Sequence, residues 1–114
     1  MKISEILELC DARLVVGNER MTNEVTSAFS SDLMSDVLML PAEKLLLITG
    51  LCNIQTIRTA EMAEIRCILF VRNKRATEEM KSLANEHGMV ILETPFSLFR
   101  TSGLLFAGGL KPVY

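Results

Sequence analysis

Asp32 and Asp36 stand four residues apart in the run Ser30-Ser31-Asp32-Leu33-Met34-Ser35-Asp36-Val37. On a helix that spacing puts both carboxylates on one face. Two adjacent carboxylates can hold Mg²⁺ or share a proton. Ser and Asp also compete for free backbone N–H groups as caps and turns, and this simpler role is the preferred reading of Ser31, Asp32 and Asp36. A second group is basic: Arg72, Lys74 and Arg75, with Asn73 among them, form the one local cluster of cations. Such a cluster is either a solvated loop or a place for an anion. A third group is nucleophilic in principle: Cys10, Cys52, Cys67 and the single histidine, His87. No Cys-x-x-Cys pair is present and His87 has no metal-ligand spacing to any thiol, so no metal is assigned. The thiols read as small, reduced, buried hydrophobes. His87 reads as a structural residue at a helix end, a position that favours positive charge.

Other chemistries lack their parts. No Gly-x-x-x-x-Gly-Lys-Ser/Thr run offers amides and a lysine to phosphates, so a kinase loop is excluded. Gly103 and Gly108-Gly109 fall in or after the last helix, not between a strand and a helix start, so they are no dinucleotide fingerprint. The formal net charge of −2 gives no basic face for nucleic acid. No apolar run approaches the ~18 residues of a membrane span. Lys2, Glu5 and Glu8 interrupt the N-terminus where a signal peptide needs an apolar stretch. A cytoplasmic, non-enzymatic protein without a cofactor is expected. The 114 residues, 49% hydrophobic and 23% charged, suffice for one core, hence a single domain over residues 1–114.

The elements that must position these residues follow from periodicity. Ile3, Ile6, Leu7 and Cys10 mark a short helix with Ser4 as its cap. Ala12–Val16 is a strand closed by a turn at Gly17-Asn18. Thr26–Phe29 is another strand, leading into the Ser30–Val37 run, a loop or a capped helical turn. Lys44–Ile48 is continuously apolar after its first residue, as in a strand buried on both faces, and ends at Thr49-Gly50. Asn53 starts a helix carrying Ile54, Ile57 and Ala60. Cys67–Val71 is the next buried strand, with Arg72–Arg75 as its exit loop. Thr77 caps a helix with Met80, Leu83 and Ala84 as its stripe, and Gly88 is its left-handed C-cap. Met89–Leu92 is the third buried strand. Thr94-Pro95 or Ser97 opens the last helix, lined by Leu98, Ser102, Leu105 and Phe106. Gly108-Gly109 ends it, and Leu110–Tyr114 is a short tail. Strands alternating with helices predict an α/β fold: a small, single-layer, mainly parallel sheet flanked by helices, with right-handed crossovers.

The Ser31-Asp32-Leu33-Met34-Ser35-Asp36-Val37 run, the strand ending Ile48-Thr49-Gly50, Asn53 at a helix start and Pro95-Phe96-Ser97-Leu98-Phe99 together resemble the DRTGG domain family. The likeness runs from Ile3 to Gly109. It implies a compact α/β module similar to the N-terminal domain of HPr kinase. Such modules are regulatory, stand alone or beside nucleotide-sensing CBS domains in some pyrophosphatases, contribute to dimerisation, and have no established catalytic role. HPr kinase carries its phosphate loop in a separate C-terminal domain. Family members often place a Thr-Gly-Gly-like turn after the strand that here ends in Val71. This sequence has no glycine there, and Lys74 and Arg75 supply charge instead.

Loops at the carboxyl ends of parallel strands are where α/β sheets bind ligands. Ser31, Asp32, Asp36, Thr49, Gly50, Asn53, Asn73, Lys74, Arg75 and Thr94 are the expected ligand-binding residues, for an anionic or nucleotide-like small molecule. The alternative is a homodimerisation or protein-interaction adaptor without a ligand. The apolar surplus of so small a domain favours this second reading.

Overall fold

A computed structural model describes residues 1–41 and 43–114. Among them, helices α1 (Ile3–Leu9), α2 (Met34–Val37), α3 (Ile54–Met62), α4 (Glu78–Glu86) and α5 (Leu98–Ala107) surround one sheet. Its strands are β1 (Arg13–Val16), β2 (Ser27–Ser30), β3 (Leu45–Thr49), β4 (Cys67–Phe70), β5 (Val90–Glu93) and β6 (Lys111–Pro112), in the order β1-β5-β4-β3-β2-β6. All neighbouring pairs are parallel except β1–β5. This is the expected α/β class: one mainly parallel sheet between helices.

Period-two alternation divides the core. Leu45, Leu47, Ile68, Phe70 and Ile91 pack on one face against Val37, Ile57, Ala60, Met80 and Ala84. Leu46, Ile48, Leu69, Val90 and Leu92 pack on the other against Ile3, Ile6 and Leu105. Thus α2, α3 and α4 share one face, and α1 and α5 the opposite one. Right-handed crossovers require this arrangement. The chain steps in one direction through β2, β3, β4 and β5, so its first three crossover helices fall on one side. It then reverses across the whole sheet to reach β6, so α5 falls on the other.

Several boundaries differ from the sequence reading. Ser4 lies inside α1, which begins after Lys2; the Lys2 N–H is held by the Glu5 carboxylate at 2.9 Å. The second strand is shifted by one residue, to Ser27–Ser30. Pro95 stays outside α5, because Ser97 Oγ accepts the Arg100 N–H at 3.1 Å and fixes the cap there. The tail after Gly109 contributes β6, parallel to β2. The caps at Asn53 and Thr77 are as expected, accepting the N–H groups of Thr56 and Met80. Gly88 has φ +67°. It closes α4 in a Schellman motif, with Gly88 N–H on Asn85 O and Met89 N–H on Ala84 O.

Candidate functional site

Strands β4 and β5 send their outgoing chains to opposite faces, α4 on one side and α5 on the other. Their carboxyl ends therefore flank a topological switch point, where open α/β sheets form a crevice. The two loops meeting there are joined by backbone hydrogen bonds: Arg72 N–H to Phe96 O at 2.7 Å and Asn73 N–H to Thr94 O at 3.0 Å. These bonds hold Arg72 and Asn73 at φ +61° and +59°. Two successive left-handed residues thus occupy the stretch where the family resemblance leads one to expect glycines. The turn keeps the glycine conformation with bulky side chains, and the Arg72, Lys74 and Arg75 side chains project as exposed cations.

Beside this crevice, Asp32 organises the end of β3. Its Oδ1 accepts the Thr49 hydroxyl at 2.9 Å and the Gly50 N–H at 2.8 Å. Its Oδ2 lies 4.0 Å from Arg72 Nη2. The Arg72 guanidinium lies over Gly50 so closely that a Cβ there would stand 2.5 Å from Nη2. A side chain at position 50 would have to displace this flexible, half-exposed guanidinium. Thr49 Oγ1 also accepts Leu51 N–H, and Asn53 Oδ1 accepts the N–H and hydroxyl of Thr56. Hence the polar groups of the β3–α3 turn are satisfied internally, with the Asp32 carboxylate in the position an anion would take.

Of the expected residues, Asp32, Thr49 and Gly50 are joined directly, and Asn53 caps the helix next to them. Asn73, Arg75 and Thr94 line a separate hollow of about 210 Å³ together with Arg13 and Glu93. The Thr94 hydroxyl donates to Cys10 O at 2.6 Å and accepts the Phe96 N–H. Ser31 Oγ accepts the Leu33 N–H in a local turn. Asp32 precedes α2 and Asp36 lies within it, exposed, so the two do not form an i,i+4 pair on one helix. Asp32 ties β3 rather than capping α2. No group of three metal-ligating side chains occurs among the described residues.

Burial pushes the Cys10 thiol up to about 11 and Cys67 to about 12. Cys52 is also raised to about 11, by burial first and the Glu93 carboxylate second, with Lys74 opposing. All three are held as thiols rather than thiolate nucleophiles. His87 closes α4, with Nδ1 3.7 Å from Glu61 Oε1, in the expected structural position.

Two further features lie outside the expected residues. Arg13 ion-pairs with buried Glu93 across β1–β5, a partnership 80 residues apart in the chain. An apolar groove of about 420 Å³ runs between α5 and the β2–β6 edge, rimmed by Phe99, Phe106 and Tyr114. These rings are 89%, 67% and 89% exposed. Phe106, expected on the lining stripe of the last helix, is instead exposed beside Phe99, and the buried residues of α5 are Thr101 and Leu105. Among the described residues no helix is long and apolar enough to cross a membrane.

No protein-family model and no curated protein matches the chain. Among solved structures, it is similar to the CBS and DRTGG domains of the regulatory region of Clostridium perfringens pyrophosphatase, complexed with the activator diadenosine tetraphosphate. The TM-score is 0.72 and the identity 17%, over 91% of this chain and 45% of that one. The chain thus spans less than half the length of the structure it matches. The likeness establishes a DRTGG-like fold, as the sequence resemblance implied.

Proposed function

We propose that this chain is a non-catalytic regulatory module that senses an anionic, nucleotide-like small molecule at the carboxyl edge of its sheet. The observation that carries this reading is the Arg72–Arg75 loop, which presents three exposed cations at the topological switch point on a backbone fixed to the facing loop. A pre-fixed loop loses little entropy on binding. Asn73, Lys74 and Arg75 are the proposed contacts, with Thr94 beneath them. Ser31, Asp32, Asp36, Thr49, Gly50 and Asn53 are not among the proposed contacts, since the β3–α3 turn is satisfied by its own side chains and by Asp32. The activator in the neighbour's structure makes a nucleotide the natural first probe.

The test is a thermal-shift series with ADP, diadenosine tetraphosphate and inorganic pyrophosphate. A ligand bound only by the folded state raises Tm by mass action. The expected result is a dose-dependent rise that Lys74→Glu/Arg75→Glu diminishes. A rise that this double substitution leaves undiminished would move the site elsewhere, and no rise with any probe would reject the sensing role.

The exposed aromatic groove favours a second reading, an association module that pairs with another copy or a partner protein. Contiguous apolar surface of this kind marks interaction sites on small domains.

A further inference from the structure

The opposite, amino-terminal edge of the sheet holds a larger hollow, about 660 Å³, where the starts of β3, β4 and β5 meet the segment preceding β2. Its floor is apolar, built from Val25, Leu45, Cys67 and Val90. Its walls carry three cations, Arg20, Lys44 and Arg66, against one carboxylate, Glu24. This concentration of positive charge stands out on a chain whose formal net charge is −2.

Among the described residues Lys44 and Arg66 have no carboxylate partner, whereas Arg20 pairs with Glu19. Lys44 has φ +53°, a costly conformation for a lysine. Its carbonyl is fixed by the Thr26 N–H at 2.8 Å. Its ammonium forms no ion pair among the described residues. Arg66 donates only to the carbonyl of His87, at 3.4 Å. Arg20 reaches over Gly88, where a Cβ would lie 3.3 Å from its Nη2, and it pairs with exposed Glu19 through Nη1, leaving Nη2 without an ion partner. Lys44 and Arg66 are exposed and Glu24 is the one carboxylate on the wall, so the hollow carries a surplus of positive charge that an anion would complement.

We propose that this amino-edge hollow binds a compact phosphorylated molecule. The phosphate oxygens would be taken by the Arg20 and Arg66 guanidinium groups and the Lys44 ammonium, and an uncharged ring would lie on the apolar floor. Guanidinium forks match phosphate geometry. The volume lies within the usual range of small-molecule pockets, ~300–1,000 Å³. The site is on the opposite end of the strands from the Arg72–Arg75 loop and does not rest on the reading given for that loop.

The experiment is a titration of the ¹⁵N-labelled full chain with AMP, and separately with inorganic pyrophosphate. Saturable shifts are expected at the amides of Arg20, Lys44, Arg66 and Gly88. Lys44→Ala and Arg66→Gln should each weaken binding about tenfold, while Lys74→Glu/Arg75→Glu leaves it unchanged. Lys44 is exposed, so its substitution tests the site even where Arg66→Gln proves unstable. The proposal fails if neither probe shifts these amides up to about 10 mM, if the shifts gather at residues 72–75 instead, or if Lys44→Ala binds as well as the parent.

Discussion

Arg13 and Glu93 face each other in register on the antiparallel β1–β5 pair, and Arg13 donates from both Nε and Nη2 to Glu93 Oε1, at 3.0 and 2.6 Å. The remaining oxygen, Oε2, accepts the Ala76 N–H at 2.7 Å. Glu93 is 4% exposed, so its charge is tolerated at the end of β5 only because both oxygens are occupied. The antiparallel direction of β1 is what places the pair. Running β1 against β5 brings its first residue, Arg13, to the carboxyl end of the sheet, beside the Arg72–Arg75 loop.

The two partners should respond unequally to truncation. Arg13→Ala removes a half-exposed cation and leaves a carboxylate still bonded to Ala76, at a cost of about 2 kcal/mol. Glu93→Ala also strands the buried Ala76 N–H and opens a cavity, and should cost about 3 kcal/mol or more. Urea unfolding of both variants checks the order. Equal losses would mean that the Ala76 hydrogen bond contributes nothing to holding the loop.

At Arg72 the backbone conformation conflicts with the residue type. Left-handed φ costs a non-glycine L-residue roughly 1–2 kcal/mol, and Asn less than most. Arg72→Gly removes that strain but returns some entropy to the unfolded chain and loses the cover over Gly50. A net gain of up to ~1 kcal/mol is expected, against little change for Asn73→Gly. Denaturant midpoints decide this, and a clear loss in Arg72→Gly would show that the guanidinium contact with Gly50 and Asp32 outweighs the strain.

This turn also shows where the sequence is legible and where it is not. The three buried strands announce themselves as apolar runs because both faces of the sheet are covered, and Asn53, Thr77 and Gly88 signal their caps through local chemistry. The left-handed pair at Arg72-Asn73 carries no such signal, since the conformation is imposed by Thr94 and Phe96 from another loop. Asp32 reads locally as a cap, yet its partners are 17 and 18 residues away on β3. Two-residue β6 is too short to display alternation. The carboxyl-edge residues were recognisable from strand order alone. The amino-edge cations were not, because they are scattered in sequence: Lys44 and Arg66 precede β3 and β4 in parallel register, and Arg20 arrives from the turn before β2.

Cys67 gives the fold a pH dependence with a definite sign. Burial raises its pKa from 9.0 to about 12. The unfolded chain therefore releases the thiol proton at lower pH than the folded one. The stabilisation is complete below about pH 9 and is lost as pH rises toward the folded value, at a limiting slope of roughly 1.4 kcal/mol per pH unit. Cys67→Ala should be somewhat less stable at pH 7 but lose stability less steeply above pH 9. Urea midpoints for both proteins between pH 8 and about 10.5 compare the slopes, and parallel curves would mean that Cys67 ionises as readily folded as unfolded.

Phe99 and Phe106 provide a test that separates association from folding. Both rings are largely exposed on α5, so Phe99→Glu/Phe106→Glu should change monomer stability by no more than about 0.5 kcal/mol per site. If the groove between α5 and the β2–β6 edge pairs with a second copy, the parent should sediment as a dimer at micromolar concentration and the double variant as a monomer. Two glutamates per copy, four in the dimer, would then be buried in the interface, where desolvation without partners and mutual repulsion are costly. A parent chain that is monomeric at high concentration excludes the self-pairing form of that reading. A parent dimer that persists in the double variant moves its interface away from α5, to one of the two sheet edges.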